Sequence, residues 1–318
     1  MPRPQSITGA VDNITSMSSE WCSSTLPPPP SVKIELTSRC NFNCAFCAHS
    51  QKHRKNQDMD RGFYRSLVAE LAALGVKEVG MFFLGESTIL PWLPWAIAEA
   101  AEHNFDLVFL TTNGSLVTKD KARDYMVAGL GGLKFSLNYA SPHQMSRVAG
   151  VKPQLWQDVI DNLKGAYRVR QELGADCGIY VSYIEYDDQQ AGEMEPVLRE
   201  VRDFCDEMYS LPLYSQATLA ESQERAEGWA PTPGNRGRAG NLRDPLPCWS
   251  IFKEGHVTVD GRLVGCCFSH EPERFDFGDL TQGRFMDAWN SPAARALRSA
   301  HLQQDVVGTA CEKCVLYE

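Results

Sequence analysis

The sequence predicts an α/β protein: a partial (β/α)6 barrel, followed by a small carboxy-terminal module of a β-hairpin and a helix. Three observations predict it. Strand-like and helix-like segments alternate from Val32 to Tyr214, the pattern of a parallel sheet with helices outside it. A loop carrying Cys40, Cys44 and Cys47 follows directly on the first strand. A second cysteine group, Cys248, Cys266, Cys267, Cys311 and Cys314, lies beyond the last of these units.

Residues 1–30 are rich in Ser, Thr and Pro and end in Pro27-Pro28-Pro29-Pro30. They read as a flexible leader or a short packed arm. The barrel is expected over 31–215. Its strands are Val32–Leu36, Glu78–Leu84, Leu107–Thr112, Leu133–Asn138, Cys177–Glu185 and Glu207–Tyr214. Its helices are Gly62–Leu74, Trp92–His103, Lys119–Ala128, Gln154–Glu172 and Glu193–Cys205. Tyr64, Leu67 and Leu71 set a helical period that stops at Gly75. Sheets of this kind carry their sites at the carboxyl ends of the strands.

Residues 216–247 are polar and rich in Gly and Pro, as in a linker. Residues 248–318 form the second module. There His256–Val259 and Arg262–Val264 flank an Asp260-Gly261 turn, a hairpin signal. Phe285–Ala300 reads as one helix.

The chain has 318 residues, a net charge of −9 and eleven cysteines. That charge argues against general nucleic-acid binding and suits a cationic small molecule. No apolar run is long enough to span a membrane, and the start lacks a secretory pattern. A cytoplasmic location is expected, where clustered cysteines bind metals more often than they pair.

The two cysteine groups carry the chemistry. Three thiolates on one loop hold three corners of a cluster, whereas a structural zinc wants four protein ligands. A 4Fe–4S cluster held by three cysteines leaves one iron open to a small molecule. The plainer alternative is a zinc loop completed by a distant ligand such as His49. The second group can be a zinc ribbon or a fully ligated iron–sulfur cluster. A zinc-stabilised binding protein without catalysis is therefore the non-enzymatic alternative.

The Cys40-x3-Cys44-x2-Cys47 spacing after an apolar strand resembles the signature of the radical S-adenosylmethionine (SAM) enzymes. That resemblance implies a 4Fe–4S cluster on Cys40, Cys44 and Cys47, with SAM on the open iron. It implies that Phe46 lies against the adenine. Gly85-Glu86 resembles part of the Gly-Gly-Glu-Pro motif, with Leu84 and Ser87 as departures, and Glu86 would accept from the SAM ammonium. Thr111 and Asn113, Ser136 and Asn138, and Arg147 resemble SAM contacts at later strand ends. The carboxy-terminal module resembles the twitch form of the SPASM domain. That implies a second 4Fe–4S cluster on Cys248, Cys266, Cys311 and Cys314.

Cys267 is then left over. It is either a small buried core residue or a hydrogen-atom donor. The donor reading resembles the radical SAM epimerases of aminoglycoside biosynthesis. It implies inversion of a carbon centre, an aminoglycoside substrate and an electron donor such as flavodoxin or ferredoxin. The enzymatic alternatives are a dehydrogenase of an amino sugar or aminocyclitol and a SPASM-type peptide-modifying enzyme. His49, Tyr183, Glu185, His256, His270 and Asp279 are further candidates for substrate contact.

Overall fold

The computed structural model describes residues 6–51, 55–214, 229, 231–268 and 274–315. Six parallel strands pair in chain order: β1 (Ser31–Ile34), β2 (Glu78–Gly80), β3 (Leu107–Thr112), β4 (Gly132–Ser136), β5 (Gly178–Glu185) and β6 (Glu207–Pro212). Crossover helices connect them. They are α2 (Arg61–Ala73), α3 (Leu93–Ala101), α4 (Lys119–Val127), α5 (Pro142–Ala149) with α6 (Leu155–Leu173), and α7 (Asp188–Val201). The expected (β/α)6 order is thus present. α5 is an addition the sequence reading missed, and α7 begins earlier than expected.

Local chemistry explains the elements. The Asp60 side chain accepts from the Phe63 N–H at 2.8 Å and caps α2. Tyr64, Leu67, Val68 and Leu71 on α2 are buried, one stripe facing the sheet. Val32 and Ile34, which share one face of β1, have no exposed surface, as expected of the face that the crossover helices cover.

The carboxy-terminal module does not stand apart. After a short helix α8 (Ser250–Lys253), β7 (Glu254–Val257) pairs parallel with β1, placing Lys33 opposite His256. The antiparallel strands β8 (Arg262–Val264) and β9 (Asp276–Asp279) follow, so one nine-stranded sheet runs β6-β5-β4-β3-β2-β1-β7-β8-β9. The β7–β8 hairpin turns at Gly261, whose φ of +84° favours glycine. The helix expected over Phe285–Ala300 is two helices, α9 (Phe285–Trp289) and α10 (Pro292–Leu302). Pro292 has no N–H for the preceding turn, and Ser291 caps the new helix by accepting from the Ala294 N–H at 3.3 Å. A last helix, α11 (Glu312–Val315), carries Cys314.

Of the two forms expected for the amino-terminal segment, its described part takes the packed one. Helix α1 (Ile7–Thr15) bridges the sheet edge at β6 and the start of the second module. Thr8 donates to Glu207 through its N–H (3.0 Å) and its hydroxyl (2.7 Å). Arg238, in the region expected to be a linker, forks onto Asp12 at 2.8 and 2.7 Å. The Lys253 ammonium donates to the carbonyls of Asn13 and Ser16 near the end of α1. Further on, Trp289 donates to the Pro27 carbonyl at 2.8 Å.

Candidate functional site

Two cavities organise the chemistry. The larger, of about 300 Å³, lies inside the barrel and is lined from the strands by Lys33, Phe109, Lys134 and Tyr209, among others. Ile7, Val11 and Ile14 of α1 also line it. The smaller is walled by Cys248, Cys266, Cys311 and Cys314 together with Asn235 and His301. The four cysteines named from the sequence therefore converge, although they are far apart in the chain. Among the described residues no carboxylate or ammonium group lines that cavity. A soft, all-thiol donor set of this kind fits an iron–sulfur cluster.

The first cysteine loop leaves β1 at its carboxyl end and is pinned by α5. The Asn43 N–H donates to the Ala149 carbonyl (2.9 Å) and the Ala45 N–H to the Val148 carbonyl (2.8 Å). The Cys47 N–H donates to the Cys44 carbonyl at 3.0 Å. The sulfur of Cys44 lies 3.1 Å from the Tyr139 hydroxyl. Burial pushes the Cys40 thiol up to about 12, helped by the nearby Glu86 carboxylate, and burial also raises Cys44 and Cys47. Cys248 is pushed up by burial to about 12 as well. Thiols so placed hold their protons until a cation compensates the charge, as bound iron does. Among the described residues no group of three or more His, Cys, Asp or Glu side chains closes on a single metal ion. A four-iron cluster places its thiolates at separate corners and needs no such convergence.

Glu86 sits beside this loop with 3% of its surface exposed. One of its oxygens accepts from the Thr88 N–H (3.1 Å), the Thr88 hydroxyl (2.6 Å) and the Thr112 hydroxyl (2.9 Å). The other accepts the Asn113 N–H at 2.8 Å and keeps capacity for a further donor. Gly85 makes the approach possible. A Cβ there would lie 1.9 Å from the Thr37 carbonyl oxygen, and the Glu86 N–H donates to the Arg39 carbonyl at 2.8 Å. The Asn113 amide donates to Asn41 at 2.9 Å, tying the end of β3 to the cysteine loop.

Thr112, not Thr111, holds Glu86. The Thr111 hydroxyl is buried without a partner among the described residues and alternates with Thr112 along β3, sharing the inward face of Phe109. Ser136 is half-buried at the end of β4, and Asn138 is half-buried just beyond it. Arg147 is exposed on the last turn of α5, the helix that pins the cysteine loop. Phe46 is buried, its ring 6.0 Å from that of Tyr186, which stacks at 4.3 Å on Trp229. Sequence reading missed Tyr139, Tyr186, Thr88 and Thr112. Thr88 is a local cap contact, two residues from Glu86 on the same turn, whereas Tyr139, Tyr186 and Thr112 act through neighbours that a different strand or loop supplies.

Cys266 and Cys267 line different cavities although their thiols are neighbours. Cys266 lines the small cavity with the other three cysteines, and Cys267 lines the barrel cavity. The Cys267 thiol beside it, with burial, raises Cys266. The Asn235 amide lies 3.9 Å from the Cys267 sulfur. His256 is fully buried and 3.0 Å from Glu254, which also takes Lys33 at 3.2 Å. Burial raises the Glu254 carboxyl, but Lys33 and His256 outweigh it and hold the group at about 2. Asp279 pairs with Arg262 on the outer hairpin, not in the barrel cavity. Tyr183 and Glu185 are half-buried at the end of β5, and His49 is half-buried next to Cys47. His270 lies outside the described residues.

Comparison with known proteins agrees with this arrangement. Residues 34–184 match the model of the radical SAM superfamily, and residues 248–315 match that of an iron–sulfur cluster-binding domain, SPASM. A PqqA peptide cyclase of Xanthomonas oryzae pv. oryzae is 30% identical over 291 residues, covering 85% of this chain and 76% of that protein. A GTP 3′,8-cyclase of Chlorobaculum tepidum is 36% identical over 109 residues, only 34% of this chain and 32% of that protein. Among solved structures, BtrN in complex with AdoMet and 2-DOIA aligns with a TM-score of 0.58 at 15% identity, covering 89% of this chain and 91% of BtrN. Streptococcus suis SuiB bound to S-adenosylmethionine aligns with a TM-score of 0.63 at 16% identity, covering 86% of this chain and 69% of SuiB. At such identities the structures show a shared fold. Among the described residues no helix is long and apolar enough to cross a membrane. With its cysteine loop on β1, its parallel barrel and its second cysteine site, the chain belongs to the radical SAM superfamily, with a SPASM-type iron–sulfur domain at its carboxyl end and SAM and 4Fe–4S clusters as its cofactors.

Proposed function

We propose that this chain is an epimerase that inverts a carbon stereocentre of an aminoglycoside, a cytoplasmic enzyme of the same kind as neomycin C epimerase. One observation carries the reading: Cys267 lines the barrel cavity, while its neighbour Cys266 lines the cavity of the other three cysteines. Cys40, Cys44 and Cys47 would hold the SAM cluster, with Glu86 receiving the SAM ammonium. Cys248, Cys266, Cys311 and Cys314 would hold the auxiliary cluster. Bound there, SAM and the two clusters supply a 5′-deoxyadenosyl radical and a single electron.

The substrate would give up one hydrogen atom, its C–H bond breaking as a new C–H bond forms in 5′-deoxyadenosine, which carries the atom away. Cys267 then gives its S–H hydrogen to the opposite face of that carbon, so an S–H bond breaks and a C–H bond forms. The sulfur radical regains one electron and one proton. SAM is consumed, methionine is released, and a flavodoxin or ferredoxin is the external reductant. The net charge of −9 suits a polycationic substrate.

A second reading, a peptide-modifying enzyme, is favoured by the long match to a PqqA peptide cyclase. Anaerobic turnover in D2O, with an aminoglycoside panel and a peptide panel, separates the readings. The expected product is an aminoglycoside one mass unit heavier with carbon-bound deuterium and an inverted centre. Loss of two mass units would identify a dehydrogenase and sink the donor role of Cys267. Turnover confined to peptides would reject the aminoglycoside.

A further inference from the structure

His301 has an unused donor in the wall of the second cysteine site. It lies in the last turn of α10, and none of its surface is exposed. Its Nδ1 accepts the backbone N–H of Cys248 at 3.1 Å. A ring nitrogen that accepts has no hydrogen, so the neutral ring carries its proton on Nε2. Nε2 is buried and has no hydrogen-bond partner among the described residues. The same ring lines the cavity shared by Cys248, Cys266, Cys311 and Cys314. A buried N–H without an acceptor costs about 1–3 kcal/mol. On a ring that lines a site suited to a sulfur-rich anion, such an atom has an evident acceptor.

We infer that His301 donates an Nε2–H···S hydrogen bond to the auxiliary cluster and thereby raises its reduction potential. The inference rests on assigning that cluster to the four cysteines. Adding an electron makes the cluster sulfurs more negative and strengthens an N–H···S bond, so the bond favours the reduced state. His301 is a positioning residue. It sets how readily the cluster takes or returns an electron and touches no substrate. The Cys248 N–H holds the ring in register, and α10 and α8 meet through His301 and Phe252, whose rings lie 6.4 Å apart.

The test uses the full-length chain with Cys40, Cys44 and Cys47 changed to Ala, reconstituted with iron and sulfide, so that only the auxiliary cluster contributes. Pulsed hyperfine spectroscopy of the reduced cluster, with ¹⁵N-histidine in the chain, should show a weak nitrogen coupling that His301→Gln abolishes. Redox titration of His301→Leu should show a cluster about tenfold harder to reduce, about 59 mV for one electron. His301→Gln, which restores an N–H near the Nε2 position, should return most of that shift. A loaded cluster with no histidine coupling, or with the strong coupling of an iron ligand, would overturn the inference alone. An unchanged midpoint in a loaded His301→Leu chain would do the same. If that variant loses its cluster, the coupling in the labelled parent decides. Failure of the triple-alanine chain to take up iron and sulfide would overturn the auxiliary-cluster assignment, and this inference with it.

Discussion

Glu86 illustrates how much one side chain depends on its setting. Four donors from Thr88, Thr112 and Asn113 hold its carboxylate in a nearly closed pocket, and such bonds to a charged group are each worth about 1.5–3 kcal/mol. The carboxylate lies close enough to the cysteine loop that Cys40 feels its charge. Glu86→Gln keeps the shape, removes the charge and turns one oxygen into a donor. SAM affinity should fall at least about tenfold, from the loss of one charge-assisted bond, while iron content stays unchanged. Anaerobic equilibrium dialysis with labelled SAM measures the first and iron assay the second. Equal affinity in the variant would remove Glu86 from the SAM site. Of this pocket, the sequence displayed Glu86 and Asn113. It could not distinguish Thr111 from Thr112, since two adjacent threonines on a strand point to opposite faces and only the register with β2 and β4 says which face is which.

Among the elements, the cysteine loop is held from outside itself. α5 gives it two backbone bonds, and the β2 end passes so close that only glycine fits at position 85. The clash in Gly85→Ala is with backbone, which cannot swing aside as a flexible side chain does. The variant should still form its parallel sheet but reconstitute with about half the iron, because the first site is displaced and the second is not. A full complement of iron in folded Gly85→Ala would show that the loop tolerates the shift. Element boundaries were mostly legible from period and caps. Two failures have simple causes. The apolar pattern of Phe285–Ala300 continues through Pro292, which ends one helix and starts another. The Ser- and Pro-rich arm reads as uncommitted until the apolar face of α1 finds the barrel cavity.

At the scale of the molecule, the two modules share one sheet. β1 pairs with β2 on one side and β7 on the other, and the Lys33–Glu254 pair bridges the join with side-chain exposures of only 12% and 7%. Removing one partner of a buried pair costs up to about 3–5 kcal/mol, less here because His256 still bonds Glu254. Lys33→Met should therefore lower the stability of the whole chain, shifting one cooperative transition rather than one of two, as read by denaturant titration with both near- and far-ultraviolet circular dichroism. The pH dependence follows from Glu254, held at about 2 against an ordinary 4.5. Its folded pKa is depressed, so its stabilisation is complete above about 4.5 and is lost as pH falls toward 2. That acid-labile part should shrink in Lys33→Met; an unchanged profile would separate Glu254 from the effect.

The sequence by itself determined the chemistry that is local in the chain. The three-cysteine loop after a strand, the alternation of strands and helices and the Asp260-Gly261 hairpin follow from spacing, because spacing sets which groups one turn or one strand end can present; the choice of four among the five outlying cysteines came from the family resemblance. Tertiary structure alone decided what depends on groups far apart in the chain. It brought Cys248, Cys266, Cys311 and Cys314 to one cavity and set Cys267 in the lining of another. It joined two modules through a parallel β1–β7 pairing that no local pattern encodes. It also set Tyr139 against Cys44 and His301 against Cys248. The physical reason is the same in each case: a hydrogen bond or a shared cavity is fixed by distance in space, and a single sequence specifies that distance only through the packing of the whole chain.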